Sequence, residues 1–167
     1  MIKTIFVDMD GVLCDFLKRF YELYGVKPER DYPSKNAAKE EYRSRFKELV
    51  EDGNFETLDP MPDFDLAMEF LCSIETKYEI KLLTSSAKPK YLDEISKQKR
   101  VWLIKHDIHW PVIVVPGKVL KQQYATPNSL LIDDTEISII QWREKGGHAI
   151  HHKTWVETIA EFKDKYI

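Results

Sequence analysis

Short apolar runs recur along the chain, separated by segments whose apolar residues fall at helical spacing. Ile5-Phe6-Val7, Tyr78 to Leu83, Pro111 to Pro116 and Ser129 to Ile132 read as strands, with a short fifth at His148 to His151. Between them, Phe16, Leu17, Phe20, Leu23 and Tyr24 predict a helix stopped by Gly25. Further helices are predicted from about Pro62 to Lys77, Lys88 to Lys105, Glu136 to Lys145 and Thr154 to Lys165. Strands alternating with helices predict an α/β fold, a doubly wound parallel sheet covered on both faces. Residues 26–61 break the pattern. They are polar, helix-prone from Ala37 to Glu51, punctuated by Pro28 and Pro33, and they turn at Asp52-Gly53-Asn54. Such a stretch predicts a small helical insertion above the strand ends, with an α/β core at 1–14 and 76–167 and a cap at 15–75.

The ends of the strands carry the chemistry. The first runs into Asp8-Met9-Asp10-Gly11, two carboxylates that share a face if the strand continues and lie together at its carboxyl end if Gly11 turns the chain. Ligands of open parallel sheets bind at that end. Like charges so close need a cation, a proton or water, and a hard divalent metal is the economical answer. By itself Asp-x-Asp-Gly is also an exposed turn or a fragment of a calcium loop. A calcium loop needs a longer acidic ladder ending in Glu, whereas Val12, Leu13 and Cys14 follow here. Further along, the second strand ends in Thr84-Ser85-Ser86, Lys118 and Lys121 follow the third, and the fourth ends in Asp133-Asp134. Around a topological switch at the first strand these ends converge.

Composition narrows the classes. The chain has 167 residues, enough for one domain with a sizeable core, and a formal charge of −3 with its basic residues scattered. No polybasic footprint for a nucleic acid polymer appears, and no apolar run approaches a membrane span. Met1-Ile2-Lys3-Thr4 leads straight into the first strand, so a cytoplasmic protein without a signal peptide is expected. The two cysteines, Cys14 and Cys72, form no metal or disulfide pattern. His106, His109, His148, His151 and His152 lack the partners of a zinc site, and the basic face of the 88–105 helix is expected to be solvated.

Taken in order, carboxylate pair, hydroxyl, lysine and carboxylate pair resemble the haloacid dehalogenase (HAD) superfamily of aspartyl-phosphate phosphatases. Within it the chain is similar to the 5'(3')-deoxyribonucleotidase family over nearly its whole length. The residues that carry this are Val7-Asp8-Met9-Asp10-Gly11-Val12-Leu13-x-Asp15-Phe16, Asn54-Phe55-x-x-Leu58-x-Pro60-x-Pro62, Thr84-Ser85 with Lys88, and Leu130-Leu131-Ile132-Asp133-Asp134. The resemblance implies a HAD-like core with a helical cap and hydrolysis of a small phosphorylated substrate, a nucleoside monophosphate. Asp8 is then the nucleophile and Asp10 the acid and base. Magnesium is implied as the cofactor, held by Asp8, the main-chain carbonyl of Asp10 and Asp134, with Asp133 either a ligand or the group that orients metal-bound water.

It further implies that Thr84 and Ser85 hold phosphate oxygens and that a lysine balances their charge, with Lys121 favoured over Lys118 because an Ala follows it at Ala125. Phe16 and Lys88 match substrate-side positions. The family's cap tryptophan has no counterpart: its place falls near Val50, leaving Tyr42, Phe46 or Phe55 to supply stacking. The alternatives are a phosphatase of another small metabolite and a non-catalytic nucleotide- or phosphate-binding protein. Carbon–halogen hydrolysis is disfavoured because it has no use for the acid at Asp10.

Overall fold

The computed structural model describes residues 1–25 and 35–167. Its strands are β1 (Thr4–Val7), β2 (Glu79–Ser85), β3 (Val112–Val115), β4 (Ser129–Asp133) and β5 (His148–His151), all parallel in the order β3-β2-β1-β4-β5. This is the doubly wound sheet the alternation predicts. The connections reverse at β1, whose Val7 pairs with Leu82 on one side and Ile132 on the other. Asp8 therefore leaves the sheet between two neighbouring strand ends, with its N–H still donating to the Ile132 carbonyl at 2.9 Å.

Period-two alternation sorts the strand residues between two apolar layers. Ile5, Val7, Ile80, Leu82, Leu130, Ile132 and Ile150 face one side. There they meet α3 (Phe64–Ile74), α4 (Leu92–Lys105) and α6 (Trp155–Tyr166) through Leu71, Ile95, Trp102 and Phe162. Phe6, Leu83, Leu131 and Ala149 face the other, against Ile139 and Trp142 of α5 (Glu136–Glu144). Trp155 closes the first layer by donating its indole N–H to the Val12 carbonyl at 3.0 Å, which ties α6 to the turn after β1.

The inserted segment contributes α1 (Phe16–Tyr24), α2 (Lys35–Glu51) and a 3₁₀ turn at Asn54–Glu56. Asp15 caps α1 by accepting the Lys18 N–H at 3.0 Å, and Gly25 ends it in the left-handed conformation. Phe20, Phe46, Leu49, Val50 and Phe55 bury one side of these elements in the same apolar layer as the sheet. α3, the last part of the 15–75 segment, packs on α6 through Phe70, whose ring meets those of Trp155 and Phe162. Pro28 and Pro33, read above as breaks in the chain, lie outside the described residues. No helix among the described residues is long and apolar enough to cross a membrane.

Candidate active site

A cavity of about 410 Å³ opens where the carboxyl ends of β1, β2 and β4 meet the inserted helices. Its floor is acidic. Asp8 is 5 % exposed and is held at both oxygens: Oδ1 accepts the Met9 N–H at 2.8 Å and Oδ2 lies 2.8 Å from Lys121 Nζ. Lys121 sits in a 3₁₀ helix at Lys118–Tyr124, where it is 3 % exposed, and it bridges to Asp133 Oδ2 at 2.7 Å. Asp133 ends β4 fully buried and fixes the next turn by accepting the Thr135 N–H at 2.8 Å. Oxygens of Asp8, Asp133 and Asp134 all lie within 4.8 Å of one another.

Gly11 makes that approach possible. Its φ of 78° is left-handed, and a Cβ there would stand 2.3 Å from Asp134 Oδ2, so any other residue collides with the acid of β4. From the far side His151 Nε2 lies 2.9 Å from the Asp134 carbonyl, which ties the end of β5 to the same loop.

Electrostatics follow from crowding. Burial, then Asp8 and then Asp133 push the Asp134 carboxyl up to about 7. Burial and Asp8 likewise raise Asp133, against the pull of Lys121. Burial works to lower Lys121, yet Asp8 and Asp133 outweigh it and hold the ammonium charged. The upward shifts of both members of the Lys121–Asp133 pair have one cause: several carboxylates share a single cation, so an excess of negative charge remains. A buried negative excess of this kind, with three oxygen donors converging, is what a hard divalent ion neutralises.

The Asp10 side chain stands apart from this group. Its Oδ2 accepts from Lys99 Nζ at 2.6 Å and its Oδ1 from Cys14 Sγ at 3.4 Å. Burial and the neighbouring Asp10 raise the Cys14 thiol well above its ordinary value, so it remains a donor and not a thiolate. Lys99 also donates to Thr84 Oγ1 at 2.5 Å. Thr84 Oγ1 accepts in that bond, which leaves its own O–H as the donor it can turn to the cavity it lines. Ser85 is set the same way, accepting the Ala87 N–H at 3.0 Å in a turn where Ala87 adopts a left-handed φ of 63°.

The opposite wall is aromatic. Phe16 stacks on Phe55 with centroids 5.7 Å apart and planes 13° from parallel, and Phe46 packs against both. Tyr42 and Leu17 complete it. The residues singled out in the sequence are therefore distributed unevenly. Asp8, Asp10, Phe16, Thr84, Ser85, Lys118, Lys121 and Asp134 line one cavity, and Asp133 lies directly beneath it. Lys88 does not line it; that side chain borders an adjoining cleft with Arg43, Lys90 and Tyr91. Lys99 was missed, and its spacing is the signal that could have found it. Ile95, Gln98, Lys99, Trp102 and Leu103 are the buried stripe of α4, so a lysine occupies a core position of that helix.

Three comparisons with known proteins bear on this site. Residues 1–154 match the family described as 5' nucleotidase, deoxy (pyrimidine), cytosolic type C protein. No curated protein is a significant match. Among solved structures, a hydrolase from Streptococcus pneumoniae TIGR4 is similar at 16 % identity, with 98 % of this chain and 100 % of that one covered and a TM-score of 0.53. A predicted HAD-like family hydrolase from Porphyromonas gingivalis is similar at 15 % identity, with 99 % of each chain covered and a TM-score of 0.50. A HAD family enzyme from Bacteroides thetaiotaomicron, solved as a magnesium complex, is similar at 14 % identity, covering 95 % of this chain and 98 % of that one at a TM-score of 0.51. At these identities the structural likeness establishes the HAD-like fold.

Proposed function

We propose that this chain, which belongs to the family of 5' nucleotidase, deoxy (pyrimidine), cytosolic type C proteins and is a phosphoric monoester hydrolase, cleaves nucleoside 5'-monophosphates through a phosphoryl group carried on Asp8. The observation that carries the reading is the pairing within one cavity of an acidic floor, in which Asp8 is clamped by Lys121, with an aromatic wall at Phe16, Phe46 and Phe55. Phosphate suits the first and a base or sugar the second. The family's cytosolic description supports a cytosolic site of action.

Each residue then has a task. An Asp8 oxygen attacks phosphorus, the P–O bond to the nucleoside breaks, and Asp10 passes a proton to the departing oxygen. Water next attacks the aspartyl phosphate while Asp10 takes its proton back, which releases phosphate and regenerates Asp8. The free hydroxyl hydrogens of Thr84 and Ser85 point to donation onto non-bridging phosphate oxygens, and Lys121 offsets the charge that gathers between Asp8 and the phosphoryl group. The donor set of Asp8, Asp133 and Asp134 fits magnesium. Bound there, the ion would shield the incoming phosphate dianion from the carboxylates and polarise the phosphoryl group.

The metal assignment predicts a pH dependence. A carboxyl raised on folding keeps its proton where the unfolded chain has already lost it. Without metal, stability therefore declines as pH climbs from about 4 toward the Asp134 value of about 7, and it levels off above. Magnesium removes the penalty only where the carboxylate is ionised. Melting curves at pH 5.5 and pH 8 should accordingly show magnesium raising the midpoint much more at pH 8, and Asp134→Asn should cancel most of that difference.

A phosphate-release screen over ribo- and deoxynucleoside monophosphates and sugar phosphates, with and without magnesium, tests the function itself. Magnesium-dependent turnover of nucleotides, with deoxynucleotides among the best substrates, is the expected result. Turnover confined to sugar phosphates would refute the nucleotide assignment, because the aromatic wall would then have no partner.

A further inference from the structure

We propose that Lys99 is the positioning residue for the leaving-group acid, fixing the Asp10 carboxyl so that it faces the ester oxygen. The inference rests on the reading of Asp10 as the group that protonates that oxygen. Lys99 is 1 % exposed, and its side chain runs from the core stripe of α4 to the cavity. A buried ammonium is expensive unless its donors are used, and here they are. Nζ reaches Asp10 Oδ2 at 2.6 Å and Thr84 Oγ1 at 2.5 Å, and it lies 5.4 Å from the Phe55 ring centroid. With Cys14 Sγ on the other oxygen, each oxygen of Asp10 accepts one bond, which sets its carboxyl plane and leaves a further lone pair for the proton.

A purely structural role explains this arrangement poorly. The methylene stem already fills the core, and a buried ion pair is weak evidence of stabilisation, since the cost of desolvating its charges can offset their attraction. What the charged end does, and an apolar one could not, is orient two polar groups of the cavity at once. The preceding residue extends the same logic to the aromatic wall. Gln98 accepts the Phe55 N–H at 3.1 Å and donates to the Val50 carbonyl at 2.7 Å. Consecutive residues on one turn of α4 thus fix the acid and the far wall of the cavity with respect to each other.

Leaving-group chemistry separates positioning from general damage. An alkoxide departs only with a proton, whereas p-nitrophenolate departs without help. Steady-state kinetics should therefore be measured for the wild type, Asp10→Asn, Lys99→Met and Lys99→Gln on two substrates. One is p-nitrophenyl phosphate; the other is deoxythymidine 5'-monophosphate or whichever alkyl phosphate the wild type turns over fastest. The expected result is that Lys99→Met lowers kcat on the alkyl ester by about 100-fold, with KM changed less than about threefold, and slows the aryl ester by less than about fivefold. Lys99→Gln, which keeps a buried N–H donor, should recover part of the alkyl-ester loss, and it decides the matter by the same criterion if the Met variant does not fold. Equal losses on both esters, or no loss on either, while Asp10→Asn remains selective for the alkyl ester, would overturn the role of Lys99 and leave that of Asp10 standing. Equal losses for Asp10→Asn itself would overturn both.

Discussion

Asp8→Asn should lower kcat by about 10⁴-fold or more while the protein melts at an equal or higher temperature in the absence of metal. The amide is nearly isosteric but is no nucleophile, and it cannot become an acyl phosphate under these conditions. The second half of the expectation comes from the charge distribution. Asp8 is the largest charged contributor raising both Asp133 and Asp134, so neutralising it relieves the crowded floor. The retained Oδ1 still accepts the Met9 N–H, and Lys121 keeps Asp133. Catalysis and stability therefore move in opposite directions, which separates a lost nucleophile from a damaged fold. Acid-quenched wild-type enzyme, trapped during turnover, should carry a phosphoryl group that the variant lacks. Retention of wild-type turnover by Asp8→Asn would leave the chain a hydrolase working by another route.

Much of this was legible in the sequence because the signals were local. Apolar runs that end in acids, as at Asp8 and Asp133-Asp134, mark a strand and its chemistry together, and β-α alternation then fixes where such ends meet. Tyr42, Phe46 and Phe55, offered as substitutes for an absent tryptophan, do line the cavity. Lys99 was illegible for a different reason. In a helix rich in lysine, charge reads as solvation, and that holds for Lys97, Arg100 and Lys105, which are exposed. Only the position of Lys99 between Ile95 and Trp102 tells it apart, and its partners are set by tertiary contacts 89 and 15 residues away in sequence. Lys88 shows the converse. A motif places it beside Thr84-Ser85, but the left-handed turn at Ala87 sends the chain on toward the adjoining cleft, a backbone choice that alanine does not advertise.

Lys121→Met is the substitution expected to hurt the fold as well as the chemistry. It removes the cation that bridges Asp8 and Asp133, both buried, and breaking a buried pair by deleting one partner costs about 3–5 kcal/mol. The direction with pH follows from the carboxylates left behind. Asp133 is raised even with the lysine present, and without it the shift can only grow, so the folded chain holds protons that the unfolded chain gives up from about pH 4 upward. The stability deficit relative to wild type should thus be greatest at pH 8 and shrink as pH falls toward 4. Lys121's own raised value has no bearing on this window, since it remains charged in folded and unfolded chains alike until well above pH 8. Magnesium, a replacement positive charge, should restore more of the melting temperature to the variant than it adds to the wild type. It should not restore turnover, because Asp8 then lacks the group that holds its Oδ2 and offsets charge on the phosphoryl oxygens; kcat is expected to remain about 100-fold or more below wild type. A variant as stable at pH 8 as at pH 5 would mean that the floor does not carry the excess negative charge on which the metal and phosphate assignments both depend.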